Sequence, residues 1–305
     1  MSTRITNNMI SRSVLADLNE VSQRLAKTQQ RMASGKEITR ASDDPYGTSR
    51  ALSLRGDVAG TQQYQRNVSE ATAWEDVTDA ALSKITDAIH RSRELAIQGA
   101  SDSAGQAARS AAAAEIDQLI ASVKQEANAS YGGRYVFSGT DTDIRPYDVS
   151  AASDAYSGNA GIVAREIGPG VSVTVNVLGS DVLGQGQLAG DGKLLNVLRD
   201  ISDHLKSGTV ASMNTLRTTD LKGLDTNLDL ISQVRATVGA TTNRLESADS
   251  RLQEVEESLT KLLTNVEDAD MAKTAVDFSM QQSVYQSALH AGANIVQQSL
   301  LDFLR

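Results

Sequence analysis

Apolar positions near both ends of the chain recur with heptad spacing. From Val14 they step through Leu18, Val21, Leu25, Thr28 and Met32, alternating four and three, and Gly35 supplies a C-terminal stop. Toward the other end Leu245, Ala248, Leu252, Val255, Leu259, Leu262, Val266 and Ala269 keep the same alternation. Val284, Ala288, Ala291 and Ile295 continue it with smaller residues that let neighbouring helices approach closely. Between these arms, Ala41-Ser42-Asp43-Asp44-Pro45 supplies an N-cap and a helix-initiating proline, so a second helix is predicted from about residue 45. It carries Leu52, Val58, Val68, Val77, Leu82, Ile85, Ile89 and Ile97, with room for a bend near Trp74. An alanine-rich third helix is predicted over roughly 104–129.

The pattern then changes. Between Tyr131 and about Lys193 lie most of the glycines and two of the three prolines, together with strand-like runs at Arg134–Phe137 and Val171–Val177. Helical periodicity resumes at Leu194–Leu198 and continues almost unbroken to the end. The predicted fold is mainly α: long antiparallel helices in a coiled coil formed by the N- and C-terminal regions, with a small β-rich inserted domain. Its predicted segments are 1–40 and 267–305 as terminal helices, 41–130 and 194–266 as the two halves of a helical rod, and 131–193 as the insert.

Charge favours pairing of the two ends. Residues 1–36 hold six Lys/Arg and two Asp/Glu, net +4, whereas residues 265–305 hold two and five, net −3. Exposed pairs are each worth well under ~1 kcal/mol, so this is a bias toward one arrangement and no more.

Composition narrows the function classes. The 305-residue chain has a net charge of −9, which argues against binding nucleic acid by phosphate neutralisation. With no cysteine, thiolate metal sites, iron–sulfur clusters, disulfides and a cysteine nucleophile all drop out. The first residues lack the apolar run and cleavage site of a secretory signal peptide. The uncharged stretch 278–301 would place Gln281, Gln282, Gln286, Asn294, Gln297 and Gln298 in hydrocarbon, so no membrane insertion is expected.

Candidate chemistry is sparse. Gly184–Lys193 resembles a phosphate loop but has Gln187 where glycine is needed and Leu194 where Ser/Thr should follow the lysine; a turn is expected. Asp141-Thr142-Asp143 begins like a calcium loop, but Arg145 occupies a ligand position. His90, His204 and His290 fall on separate predicted helices without metal-ligand spacing. Asp43-Asp44 reads as a cap rather than a catalytic pair. No catalytic residue, cofactor or metal is expected.

Several stretches resemble one family, the flagellin-like axial proteins of the bacterial flagellum. They are Ser34–Pro45 (SGKEITRASDDP), Arg93–Gln98 (RELAIQ), Val234–Ala240 with Asn243-Arg244, Glu267–Asp270 and Ser299–Leu304, in the family's order from one end to the other. Within it, Gly133–Gly139 (GRYVFSG), Asp141-Thr142-Asp143 with Pro146-Tyr147, Val175–Gly179 and the LLDFL ending are similar to the hook-associated branch that joins hook to filament. Tyr147 replaces a usual phenylalanine, and the terminal Arg305 is more flagellin-like.

The resemblance implies a structural, non-enzymatic protein exported by the flagellar type III apparatus with an uncleaved N-terminal signal. The protein would reside in the extracellular flagellum as a homo-oligomeric ring between the neighbouring hook-associated protein and flagellin, with a flagellar export chaperone as its partner before secretion. The alternatives are flagellin itself and a non-flagellar coiled-coil rod. The assembly interface is expected at Ile5, Ile10, Val14, Leu18, Val21 and Leu25 of the first helix and Val284, Ala288, Ala291 and Ile295 of the last. Both ends are expected to be loosely ordered alone and to fold on assembly, with the insert facing outward.

Overall fold

The computed structural model describes residues 7–151, 153–186 and 189–303, with the side chains of 9, 12–151, 153–186 and 189–293. Its helices are α1 (Asn7–Ser34), α2 (Pro45–Ala100), α3 (Gln106–Ala127), α4 (Gly179–Val182), α5 (Leu194–Ser207), α6 (Val210–Thr215), α7 (Leu221–Glu267) and α8 (Met271–Phe303). A π-helical turn, Leu216–Asp220, joins α6 to α7. The strands are β1 (Ser130–Tyr131), β2 (Arg134–Tyr135), β3 (Ala164–Gly168) and β4 (Val171–Thr174), in two antiparallel two-stranded sheets. The mainly α architecture with a small β-containing insert is as the sequence predicts.

Two compact units divide the chain, one of residues 1–60 and 255–305, the other of residues 61–254. In the first, α1 and α8 pack along each other. Thr28 Oγ1 donates to Gln281 Oε1 at 2.8 Å, while Val14 and Leu18 lie beside Gly292. As one number falls the other rises, so the pair is antiparallel.

The second unit is organised around heptads. On α2 the inward positions run Val68, Ala71, Glu75, Thr78, Leu82, Ile85 and Ile89. On α7 Leu224, Ile231, Val238, Leu245 and Leu252 recur every seventh residue, all buried. Helix α2 is one unbroken element through Trp74, which is buried. Helices α3 and α5 pack together, burying Ile116, Ile120, Leu198, Ile201 and Leu205.

The insert is held by polar anchors more than by strands. Tyr147, fully buried, donates its hydroxyl to Gly184 O at 2.6 Å and Gly179 O at 3.0 Å. Those two carbonyls explain why tyrosine serves here in place of phenylalanine. Lys124 and Asp154 form a buried pair at 2.8 Å, joined by Arg199 to Asp154, also at 2.8 Å. This cluster ties Asp154, and through Lys124 Nζ the Asp148 and Ala151 carbonyls, to α3 and α5. The strand runs are shorter than expected: only Arg134-Tyr135 and Val171–Thr174 are strand, and Ala164–Gly168 pairs with the latter.

Candidate assembly surfaces

The first surface is the α1/α8 pair. Val14, Leu18, Val21 and Leu25 all sit on the α1 face turned to α8, but each is only half-buried, and Thr28 alone is buried among the described side chains of α1. Two helices enclose one seam between them and leave its flanks wet. On α8 the positions turned to α1 are Thr274, Phe278, Gln281, Tyr285, Ala288 and Gly292, alternating four and three. A Cβ at Gly292 would stand 3.2 Å from Val14 Cγ1, so glycine permits the close approach there.

Of the four α8 residues expected at the interface, Ala288 lies in this internal seam, whereas Val284 and Ala291 are exposed. Ile5 lies outside the described residues, as do the side chains of Ile10 and Ile295. The exposed face of α8 carries an apolar stripe. Val276, Met280 and Val284, spaced by four, are 68%, 57% and 48% exposed. Leu15 on α1 and Val255 and Leu262 on α7 are exposed too. A stripe of this kind on a helix is the usual mark of a protein-contact surface.

The second feature is the joint where α1 gives way to α2 and α7 to α8. Gly35 takes a left-handed φ of 69° and ends α1 as predicted. Glu37 N then donates to Glu267 O at 2.7 Å and Ala269 N to Gly35 O at 2.9 Å, a bridge of two backbone bonds. The Glu267 carboxylate is buried and pairs with both Lys36 and Arg55. Burial opposes its ionisation, but the hydrogen bonds and charges of the two cations outweigh that, and its pKa is lowered. Asp44 Oδ1 accepts from Gly47 N at 3.0 Å, capping α2, and Asp270 Oδ1 accepts from Lys273 N at 3.1 Å, capping α8. Asp43 serves the preceding turn, accepting from Thr39 and Arg40 and pairing with Lys27 at 2.9 Å. The resemblance motifs SGKEITRASDDP and EDAD are thus the two strands of this joint.

The RELAIQ and VRATVGA stretches share one job in the second unit. Arg93 pairs with Asp225 at 2.9 Å, and Arg235 grips Asp79 through two contacts of 2.8 and 3.1 Å. Both cross from α2 to α7.

The weaker motifs resolve into turns. The Asp191 carboxylate accepts from Gln185 N and Lys193 N, so the loop's amides already hold an anion of their own. His204 Nδ1 lies 2.6 Å from Asp220, and among the described residues no group of acidic or histidine side chains is arranged to hold a metal ion. Among them too, no helix is long and apolar enough to cross a membrane.

Sequence reasoning missed one buried group. Glu75 occupies an inward heptad position of α2, is 3% exposed, and has an Oε2 without a hydrogen-bond partner. Thr78 is a second polar member of the same buried alternation, so apolar spacing alone does not mark the position.

These features define a class: a long-helix protein whose first and last helices pair and whose last helix carries exposed apolar residues. Residues 5–142 match the bacterial flagellin N-terminal helical region and residues 221–304 the bacterial flagellin C-terminal helical region. The chain belongs to the bacterial flagellin family, and its role is that of a structural protein of the flagellum. It is 28% identical to the flagellar filament 33 kDa core protein of Treponema phagedenis, over 99% of each chain. It is 25% identical to flagellar hook-associated protein 3 of Escherichia coli, over 86% of this chain and 87% of that one. The solved flagellar hook associated protein-3 of Legionella pneumophila shares the fold, with a TM-score of 0.62 at 16% identity, covering 70% of this chain and 98% of that one.

Proposed function

We propose that the chain is the hook–filament junction member of the family, a homo-oligomeric ring that ends the hook and offers filament subunits a surface to grow on. The observation that carries it is the exposed apolar face of α8 backed by a half-buried α1 seam. A lone two-helix pair leaves both partly wet, and neighbouring copies on either side would cover them. Val14, Leu18, Val21 and Leu25 with Ala288 form the inner seam of this interface, and Val284 and Ala291 its outer contact. The two ends gain order as copies pack. The segments 41–130 and 194–266 serve as the rod and 131–193 as the outward-facing domain. Its neighbours are the adjoining hook-associated protein and flagellin, it reaches the flagellum by type III export, and an export chaperone covers its ends beforehand.

The insert supports this branch: within the GRYVFSG segment Phe137 O accepts from Tyr156 Oη at 2.8 Å and from Gly179 N at 3.0 Å, beside the buried Tyr147. A second reading, flagellin itself, draws on the near-full-length likeness to filament core proteins. The experiment that tests both is labelled antibody on isolated flagella. A single band between hook and filament supports the junction; label along the whole filament makes the chain a filament subunit. Met280→Asp and Val284→Asp should prevent incorporation while leaving the thermal unfolding of the purified chain unchanged. Incorporation of both variants at native levels would sink the proposed interface.

A further inference from the structure

Methionine is unevenly distributed between the two units. Of the six in the sequence, five have described side chains. Met9, Met32, Met271 and Met280 are exposed and belong to α1 and α8 of the first unit, whereas Met213, on α6 of the second, is 4% exposed. A thioether packed in a core is shielded from dissolved oxidants, and an exposed one is not.

Met280 differs from the other three in its neighbours. It is 57% exposed and stands one helical turn from Val276 on one side and Val284 on the other, both exposed, so its sulfur lies at the centre of the α8 stripe. No Lys, Arg, Asp or Glu occurs between Asp277 and Asp302. That face therefore has apolar area to offer a partner and no formal charge. Its one atom open to mild oxidation is the Met280 sulfur. With a peroxide, a lone pair on Sδ forms an S–O bond as the O–O bond breaks, and a proton passes to the departing oxygen, which leaves as water. Sulfur loses two electrons and the peroxide gains them. The product is a polar sulfoxide, a strong acceptor that is costly to bury against an apolar surface without a donor.

We propose that Met280 is an oxidation site that switches the α8 face: as the thioether it is an apolar contact for a neighbouring copy, and as the sulfoxide it keeps the chain out of the assembly. An unbranched, polarisable side chain suits the first role, because it fills irregular gaps between surfaces. The second follows from its central place, since a polar group there splits the stripe in two. The effect on assembly rests on the reading above; the reactivity of the sulfur rests on its exposure alone. Packing of copies covers the sulfur, so oxidation acts on the free chain and spares the assembled one.

The test has two arms. In the first, purified full-length chain is treated with dilute hydrogen peroxide at neutral pH, and each methionine peptide is followed by mass spectrometry for the gain of one oxygen atom. Met280 should be converted several-fold faster than Met213, and several-fold faster in the free chain than in isolated flagella. Equal rates for Met280 and Met213 overturn the oxidation site, and equal rates for Met280 in free chain and flagella overturn its place in the contact. In the second arm, incorporation is measured by labelled antibody in cells grown with and without sublethal peroxide. The native chain should lose several-fold of its level, Met213→Leu should share that proportional loss, and Met280→Leu should lose far less of its own level. No loss in the native chain, or an equal proportional loss in Met280→Leu, overturns the switch. Met280→Gln, a permanently polar side chain of similar length, should be incorporated several-fold less than the native chain without peroxide. If Met280→Gln enters at the native level while Val284→Asp is excluded, the contact face stands and the switch falls; if both enter, the assembly reading falls with it.

Discussion

Glu75→Gln should flatten the pH dependence of stability between about pH 5 and 9. An ordinary glutamate titrates near 4.5, and Glu75 in the folded chain near 8, chiefly because burial disfavours the charged form. The folded state thus holds its proton more tightly than the unfolded one. The stability this contributes is fully present below pH 4.5 and is lost as pH rises through 8, where the native chain must keep a carboxylate in an apolar wall. At about 1.4 kcal/mol per pH unit, the interval sets a ceiling of roughly 5 kcal/mol. Glu75 lines a cleft of about 550 Å³ that opens to solvent, which shortens the path of water to its side chain, so about 2 kcal/mol is the better expectation. Calorimetric scans of both proteins at pH 5, 7 and 9 isolate this one group, since every other titration is shared. The variant should gain on the native chain by roughly 4–8 °C between pH 5 and 9, taking ~2–4 °C per kcal/mol. Parallel curves for the two proteins would refute the reasoning, and with it the assignment of Glu75 as a buried neutral acid.

Three further outcomes follow from the packing. Tyr147→Phe leaves the Gly184 carbonyl without its hydroxyl donor, while Gly179 O keeps the Leu183 amide at 2.8 Å, and should cost about 1–3 kcal/mol in urea unfolding; an unchanged midpoint would show that the insert does not depend on the hydroxyl. Glu267→Gln removes the negative charge that holds Lys36 and Arg55 and replaces one acceptor oxygen by a donor, so trypsin should cut after Lys36 and Arg40 faster than in the native chain. Because the Glu267 pKa is lowered, the joint's contribution is present above the ordinary glutamate pKa of 4.5 and lost as pH falls below it, so the native chain should approach the variant's cleavage rate in acid, using a protease active there. Gly292→Val places methyl groups where even a Cβ stands 3.2 Å from Val14, so hydrogen exchange over residues 14–28 should quicken several-fold, and unaltered protection would contradict the close helix approach.

Much of the fold was legible because helix ends obey local chemistry. Gly35, Asp44 and Pro45 mark their boundaries through backbone freedom, a side-chain acceptor and a fixed φ, none of which depends on distant residues. The insert was less legible for the converse reason. Its shape comes from Tyr147, Asp154 and Asn159 reaching across the region, and contacts such as Tyr147 to Gly184 leave no periodic trace. Strand β3, Ala-Arg-Glu-Ile-Gly, lacks the alternation that reveals a strand and is set by its pairing with β4. Glu75 is hidden in the sequence because Val77 looks like the inward residue of that turn; the heptad Val68, Ala71, Glu75, Thr78, Leu82 includes two polar members, and apolarity alone selects the wrong ones.

The terminal helix carries the same lesson with the opposite sign, and it bears directly on function. Apolar residues of a helix ordinarily report the face turned to the rest of its own chain. On α8 they do not: the inward positions are Thr274, Phe278, Gln281, Tyr285, Ala288 and Gly292, half of them polar or without a side chain, while Val276, Met280 and Val284 face solvent. A chain selected only to be stable alone has no use for that arrangement, since turning α8 about its axis would exchange a wet stripe for a buried one. What prevents the turn is the detail of the inner seam. Gly292 admits Val14 and Leu18 at close range, and Thr28 donates a hydrogen bond to Gln281 that a rotated helix would forfeit. The inner face is thus specified by fit and the outer face by apolarity, the combination expected where one partner is the chain's own and the others are separate molecules. On that argument Val284→Asp and Gly292→Val should fail differently, the first only when copies meet and the second already in the isolated chain.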